Sequence, residues 1–279
     1  MPILVTGSRG TVGSTLLTLL HEQGLSVRAG SRSPDKLTVP PGVESVRCAL
    51  DEPSTFAAAL DSVTSVFLYA EPSHIGAFAE QAASAGVEHI VLLSSSSVLD
   101  PDAADSPIAA SHLAVEQALA AAPVTTTVLR PGAFAGNARQ WARALRSAGV
   151  IELPYPGSYG DPVHERDLAE AAVAVLTRPE LRGGTYHLTG PQSLTFAEQI
   201  AILERVAGRG IAVRAVSRDA WRASVSAYLP NEFAEALLDY WASTDGSPAH
   251  LTGTLEQLTG RPPRSFTAWA EEHAEAFRA

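Results

Sequence analysis

The stretch Val5-Thr6-Gly7-Ser8-Arg9-Gly10-Thr11-Val12-Gly13 constrains the fold of this chain more than any other. The apolar run Ile3-Leu4-Val5 is too short and too branched for anything but a buried strand. After it, Val12, Leu16, Leu19 and Leu20 fall on one face of a helix, and Gly24 suits the left-handed residue that ends one. Three glycines therefore stand where a strand turns into a helix. The first permits the tight turn, the second lets backbone approach a ligand, and the third lets helix and strand pack closely. The free N–H groups of the helix start then face negative charge. The spacing is Gly-x-x-Gly-x-x-Gly, and in this setting Gly7, Ser8, Arg9, Gly10, Thr11, Val12 and Gly13 read as a pyrophosphate cradle.

Strand and helix patterns alternate beyond this point. Strands are expected at Ser26–Ala29, Val43–Ala49, Val63–Tyr69, His89–Leu93, Thr125–Leu129 and Tyr186–Leu188. Helices are expected at Pro53–Leu60, Ser73–Ala85, Pro107–Ala122 and Asp167–Leu176, with Pro53, Pro72 and Pro107 in first turns. Such alternation calls for an α/β fold, a Rossmann-type doubly wound parallel sheet with helices on both faces. After Gly190 helix-like pieces dominate, at Phe196–Ala207, Asp219–Ala227, Asn231–Trp241 and Leu251–Thr259. The expected division is a dinucleotide-binding core of residues 1–132 and 161–189, capped by a small, mainly helical lobe of residues 133–160 and 190–279. Ligands of such sheets bind at the carboxyl ends of the strands, beneath that lobe.

Composition narrows the function classes. A net charge of −10 with no basic cluster disfavours nucleic acid and anionic membrane as partners, and leaves a small molecule. No apolar run reaches the length of a membrane span, and no secretory leader is expected. The single cysteine, Cys48, excludes an internal disulfide and points to a buried thiol in a reducing cytoplasm. The eight histidines are scattered without ligand spacing, so no metal site is expected. No Gly-x-Ser-x-Gly elbow occurs.

The second strand indicates which dinucleotide. An acidic residue about 20 residues on usually binds the ribose 2′-hydroxyl of NAD. Here the segment reads Val27-Arg28-Ala29-Gly30-Ser31-Arg32-Ser33-Pro34-Asp35-Lys36, with Ser31 and Arg32 at that place. A guanidinium matches a 2′-phosphate, and Lys36 and Arg9 add charge, so NADP is favoured over NAD.

Three motifs carry a family resemblance. Thr6-Gly7-x-x-Gly10-x-x-Gly13 resembles the glycine motif of extended and atypical short-chain dehydrogenases/reductases. Leu129-Arg130-Pro131-Gly132-Ala133-Phe134-Ala135-Gly136-Asn137 resembles the motif after their sixth strand. Arg32-Ser33-Pro34-Asp35-Lys36 resembles a segment of the NmrA-like branch, which includes type 2 quinone oxidoreductases, triphenylmethane reductases and redox-sensing regulators. The resemblance implies an adenine contact near Cys48-Ala49 that is lost or falls to Asp51. It implies that Tyr69, Ala70, Ser94, Pro131 and Phe134 adjoin the cofactor, and that Glu71 and Asn137 border the acceptor.

One departure bears on mechanism. Ordinary members carry Tyr-x-x-x-Lys; here the register puts Ile108 at the tyrosine place and His112 at the lysine place, with Glu116 one turn on. Isoleucine donates no proton. Ser95 aligns with the superfamily's catalytic serine, as a hydrogen-bond donor to substrate or a strand-end cap. His112 is read first as a ribose ligand, then as a histidine satisfied by Glu116 or backbone, then as an acid. Tyr155 and Tyr159, in the loop 154–162, and His164 are candidates for the acceptor pocket, as are Trp141 and Trp221, for which core packing is the first reading, with Asp167 opening the late helix. The expected activity is NADPH-dependent hydride transfer to a conjugated, quinone-like or polycyclic acceptor, which needs positioning more than a strong acid. The rival is a non-catalytic NAD(P) sensor of the NmrA type.

Overall fold

The computed structural model describes residues 2–278. The chain runs β1 (Ile3–Val5), α1 (Thr11–Glu22), β2 (Val27–Ser31), β3 (Glu44–Arg47), α2 (Phe56–Leu60), β4 (Ser65–Tyr69), α3 (Ile75–Ser84), β5 (His89–Leu93), α4 (Pro107–Ala120) and β6 (Thr125–Pro131). It continues through α5 (Arg139–Ala148), β7 (Ile151–Leu153), β8 (Tyr159–Gly160), α6 (Glu165–Thr177) and β9 (Thr185–Leu188). Seven strands form one parallel sheet in the order β3-β2-β1-β4-β5-β6-β9. The winding reverses between β1 and β4, where such sheets leave a crevice at the strand ends. The central strands Ser-Val-Phe-Leu-Tyr and His-Ile-Val-Leu-Leu are near-continuous apolar runs because both their faces are covered.

Two cores sandwich the sheet. On one face Leu16, Leu17 and Leu20 of α1 meet Leu168, Ala172 and Val175 of α6. Each such leucine contributes about 1.5–3 kcal/mol by leaving water. On the other face Phe56 and Leu60 of α2, Phe78 of α3 and Val115 and Leu119 of α4 pack on β4 and β5. The expected strands and helices are present with shifted ends. The segment 53–60 splits into a 3-10 turn, Pro53–Thr55, and α2. Pro53 and Pro107 occupy first turns, but Pro72 does not: α3 begins at Ile75, with His74 as its N-cap. The residue at the N-cap of α6 is His164, not Asp167; its imidazole Nδ1 accepts the Arg166 N–H.

The remaining elements are β10 (Leu194–Thr195), α7 (Phe196–Ala207), β11 (Val213–Ala215), α8 (Arg218–Val225), α9 (Asn231–Ser243), α10 (Thr254–Thr259), α11 (Phe266–Glu272) and α12 (Glu275–Arg278). α5, β7, α7, α11 and α12 share a core around Trp141, Trp269 and Phe277. α8 and α9 share another around Trp221 and Trp241. An edge-to-face series, Trp141–Phe196–Trp241–Trp221, with centroids 5.6, 5.5 and 4.8 Å apart, joins the two. One segment returns to the sheet: Leu255 and Leu258 of α10 enter the α1–α6 core. Arg264 follows it and closes on Asp167 and Glu170 of α6. Among the described residues no helix is long and apolar enough to cross a membrane.

His89 is fully buried at the start of β5, its Nε2 2.8 Å from Thr127 Oγ1. Burial, reinforced by Arg182, pulls its pKa down to about 4. The unfolded chain gains this proton below its ordinary value near 6.5, whereas the folded chain resists until about 4. Stability from this site is therefore complete at pH 7 and falls as pH drops through that window, by about 3 kcal/mol at pH 4. His89→Leu is expected to shrink the difference in unfolding free energy between pH 7 and pH 4 by that amount in urea titrations.

Candidate active site

The glycine turn is closed by its own backbone. Gly7 has φ +62°, in the left-handed region, and the Gly10 N–H donates to its carbonyl at 2.8 Å. A Cβ on Gly13 would lie 2.5 Å from that same carbonyl oxygen, so α1 can approach β1 this closely only with glycine there. Gly10 caps α1 without a side chain, and no acidic residue stands in the first turn. The helix thus presents unpaired N–H groups to a cavity of about 580 Å³ at the reversal between β1 and β4. This is a cradle that a side chain would fill, and its donor set suits a pyrophosphate.

Of the expected cofactor residues, Gly7, Arg9, Gly10, Thr11, Val12, Gly13, Arg32, Tyr69 and Phe134 line the cavity. Ser8 does not: it is buried, with its hydroxyl donating to Val5 O at 2.6 Å. Lys36 is exposed beyond the cavity wall, in the turn Pro34–Lys36. Asp51 is also outside, paired at 2.8 Å with Arg32, so here the carboxylate's partner is the guanidinium. Ala70, Ser94, His112 and Pro131 are not among the residues that line it. Lining residues that the sequence did not assign to the cofactor are Thr6, Ser31, Ser33, Cys48, Phe67, Leu93 and Glu165. Cys48 is buried, and desolvation pushes its thiol up to about 12, leaving a neutral apolar wall. Tyr69 lays its ring over Gly7, and burial followed by Glu71 raises its pKa.

The catalytic-helix region is wired differently from its expectation. Ser94 is buried and donates to Glu116 at 2.6 Å, so its hydroxyl is turned to α4. Glu116 also takes both arms of Arg130, at 3.0 and 2.5 Å. The Glu116 carboxylate is thereby committed, and the imidazole of His112 has no hydrogen bond to it. Nδ1 of His112 is buried and unpartnered, and burial, against the pull of Glu116, lowers its pKa. A neutral imidazole with a spare nitrogen can bond a ligand hydroxyl. Ser95 caps the 3-10 turn Ser96–Leu99: its Oγ accepts from the Ser97 N–H at 3.1 Å.

The expected acceptor residues do not converge. Trp141 and Trp221 are buried in the two C-terminal cores rather than on a cavity wall. Tyr155 packs against the Trp221–Trp241 core, where its hydroxyl accepts from Arg218 at 3.4 Å. Tyr159 pairs with Thr195 between β8 and β10. His164 is a buried cap, with Glu272 3.3 Å from Nε2. Glu71 accepts from Ser73, and Asn137 is exposed in the turn Ala135–Ala138. Glu165, which sequence reasoning passed over, lines the cavity and holds the Gly136 N–H at 2.8 Å. No metal-binding cluster exists among the described residues.

Comparison with known proteins agrees with this geometry. Residues 7–179 match the NAD(P)H-binding family. The chain is 40% identical over 281 residues, 99% of each protein, to the (4-alkanoyl-5-oxo-2,5-dihydrofuran-3-yl)methyl phosphate reductase of Streptomyces griseus. It is 33% identical over 290 residues, again 99% of each, to the NAD(P)H azoreductase of Xenophilus azovorans. Its fold matches that of Citrobacter sp. triphenylmethane reductase complexed with NADP(H), with a TM-score of 0.79 and 24% identity over 98% of this chain and 100% of that one. A left-handed Gly7, an uncapped helix start and a match of this extent together make the chain a member of the NAD(P)H-binding family, in its atypical short-chain dehydrogenase/reductase, NmrA-like branch.

Proposed function

We propose that the protein is an NADPH-dependent reductase that passes hydride to a small conjugated acceptor in the cytoplasm. The observation that carries this reading is the open cradle at the start of α1, with Arg9 and Arg32 on its wall and Ser31, not a carboxylate, at the end of β2. A glycine cradle with free N–H groups fits a pyrophosphate, and two guanidinium groups fit a further phosphate on the adenosine ribose. The names of the relatives support the acceptor class: an azo compound, a triarylmethane and an oxo-dihydrofuran each offer a planar, electron-poor π system.

When bound, the dinucleotide supplies the hydride. The protein's residues supply position. The α1 N–H groups and Gly7 would hold the phosphates. His112 offers its unpaired nitrogen to a ribose hydroxyl, replacing part of the lysine's task. Phe134 and Leu93 give the inner cavity an apolar wall that limits water. Ile108 at the tyrosine place leaves the acceptor without the usual proton donor, which suits acceptors whose reduction is driven by their own electron deficiency.

Two measurements test this. Loss of NADPH absorbance is expected with a panel of quinones and azo or triarylmethane dyes; tight NADPH binding with no turnover on any of them would overturn the reading. In calorimetry, Arg32→Ala is expected to weaken NADPH binding about 10- to 100-fold, the worth of a charge-assisted pair, while NADH binding stays within about twofold. Equal losses for both dinucleotides would remove Arg32 from the 2′-phosphate. Gly13→Val is expected to abolish binding of both, because its Cβ meets the Gly7 carbonyl.

A further inference from the structure

The cavity crosses the carboxyl ends of the strands in sheet order. Cys48 after β3, Ser31 on β2, Gly7 after β1, Phe67 on β4, Leu93 on β5 and Phe134 after β6 stand in turn along its wall. Five strand spacings of about 4.8 Å make that path roughly 24 Å, which suits an extended dinucleotide rather than a mononucleotide. With Arg32 at the adenosine end and the α1 N–H groups at the pyrophosphate, the β5–β6 end is left for the nicotinamide. Of the wall residues there, Leu93 and Phe134 are apolar and Glu165 is polar. Glu165 is 5% exposed, at the start of α6. The segment before it is fixed to the loop after β6: the Val163 N–H donates to Ala133 O at 2.7 Å, the Ala135 N–H donates to Val163 O at 2.9 Å, and Asp161 Oδ1 accepts the Ala133 N–H at 3.1 Å. Glu165 Oε1 then accepts the Gly136 N–H at 2.8 Å, and a Cβ on Gly136 would collide with that oxygen, so the glycine makes room for the carboxyl. Among the described residues no hydrogen bond or ion pair reaches Oε2. His273 of α11 senses this carboxyl, but burial and then Arg139 lower its pKa, and it forms no ion pair with Glu165.

We infer that Glu165 binds the carboxamide of the nicotinamide ring, with Oε2 accepting one carboxamide N–H. The inference deepens the proposed function and rests on its dinucleotide. A carboxamide taken out of water needs an acceptor for its N–H groups as well as a donor for its carbonyl. The cradle supplies only donors, because helix-start N–H groups and guanidinium groups accept nothing. Leu93 and Phe134 supply neither. Glu165 brings an acceptor to the end of the cavity where the ring must lie. Because Oε1 is held by backbone, the plane of the carboxyl is set before a ligand arrives, and no flexible side chain has to be ordered on binding. An apolar wall alone does not distinguish the two edges of a pyridine ring; an acceptor at one edge does. Glu165 thus fixes the rotation of the ring about its bond to the ribose, and with it the face that is turned to the acceptor.

Glu165→Gln keeps an oxygen for the Gly136 N–H and puts an NH2 group, which accepts nothing, in place of Oε2. Titration calorimetry with three ligands tests the assignment: NADP+, its 3-acetylpyridine analogue, in which a methyl group replaces the carboxamide NH2, and 2′-phospho-ADP-ribose, which has no ring. Wild-type protein is expected to bind NADP+ about 10-fold tighter than the analogue, the worth of a hydrogen bond to a charged group. Glu165→Gln should bind NADP+ and the analogue within about twofold of each other, and should match wild type on 2′-phospho-ADP-ribose, which reports an intact cradle. Equal binding of NADP+ and the analogue by wild type overturns the assignment, as does an undiminished preference in the variant. Loss of 2′-phospho-ADP-ribose binding in the variant also overturns it, since Glu165 would then support the cavity rather than read the ring. These readouts involve no turnover, so a protein that shows the preference and reduces nothing would keep this assignment and lose the reductase reading. A wild-type protein that binds none of the three ligands would sink both.

Discussion

The contact on which the structure depends is that between Gly13 and the Gly7 carbonyl. It lets α1 sit directly against the end of β1, so the helix start points into the sheet's crevice instead of over it. The rest of α1 is fastened by Leu16, Leu17 and Leu20 to α6 beneath the sheet. The cradle is therefore rigid on one side because of apolar burial, and open on the other because its glycines bring no side chains. An anion site made this way uses backbone dipoles that are already oriented, which avoids ordering flexible side chains on binding.

A second fixed point lies across the sheet. Ser94 at the end of β5, Glu116 on α4 and Arg130 on β6 form one buried network. Removing one partner from a buried pair leaves an uncompensated charge, at about 3–5 kcal/mol. The network ties α4 to two strands. Because Glu116 is consumed there, it makes no hydrogen bond to His112. The imidazole stays uncharged through burial and keeps a nitrogen free. The His-x-x-x-Glu spacing on α4 thus does not join the two side chains: Glu116 serves the network, and His112 Nδ1 is left buried and unpartnered.

The fold was legible because its signals are local and redundant. The glycine spacing, the branched strand runs and the alternation of periods all depend on chain neighbours, and all point to one parallel sheet. The cradle was legible for the same reason. The acceptor side was not. Trp141, Trp221 and Tyr155 read as pocket residues because aromatic side chains line pockets, yet Phe196 draws Trp141 and Trp241 into one edge-to-face series that closes in on itself. Nothing near Trp141 in sequence announces a partner 55 residues on. Glu165 and Asp161 were missed because their meaning comes from Gly136 and Ala133, whose N–H groups they hold across gaps of 29 and 28 residues. Asp167 had the composition of a helix cap, but Arg264 from the far end of the chain claims its carboxylate, and His164 caps instead.

These long-range captures follow a pattern. Glu116, Asp167 and Glu170 have guanidinium partners. Glu165 and Asp161 have backbone N–H partners from the single loop after β6, and that loop carries Phe134 into the cavity. Backbone donors orient a carboxyl without lending it a full countercharge, so burial is free to act on Asp161 and raise its proton affinity. Asp161, between β8 and α6, and Glu165, at the start of α6, are thus held by the loop after β6, and among the described residues neither has an arginine partner.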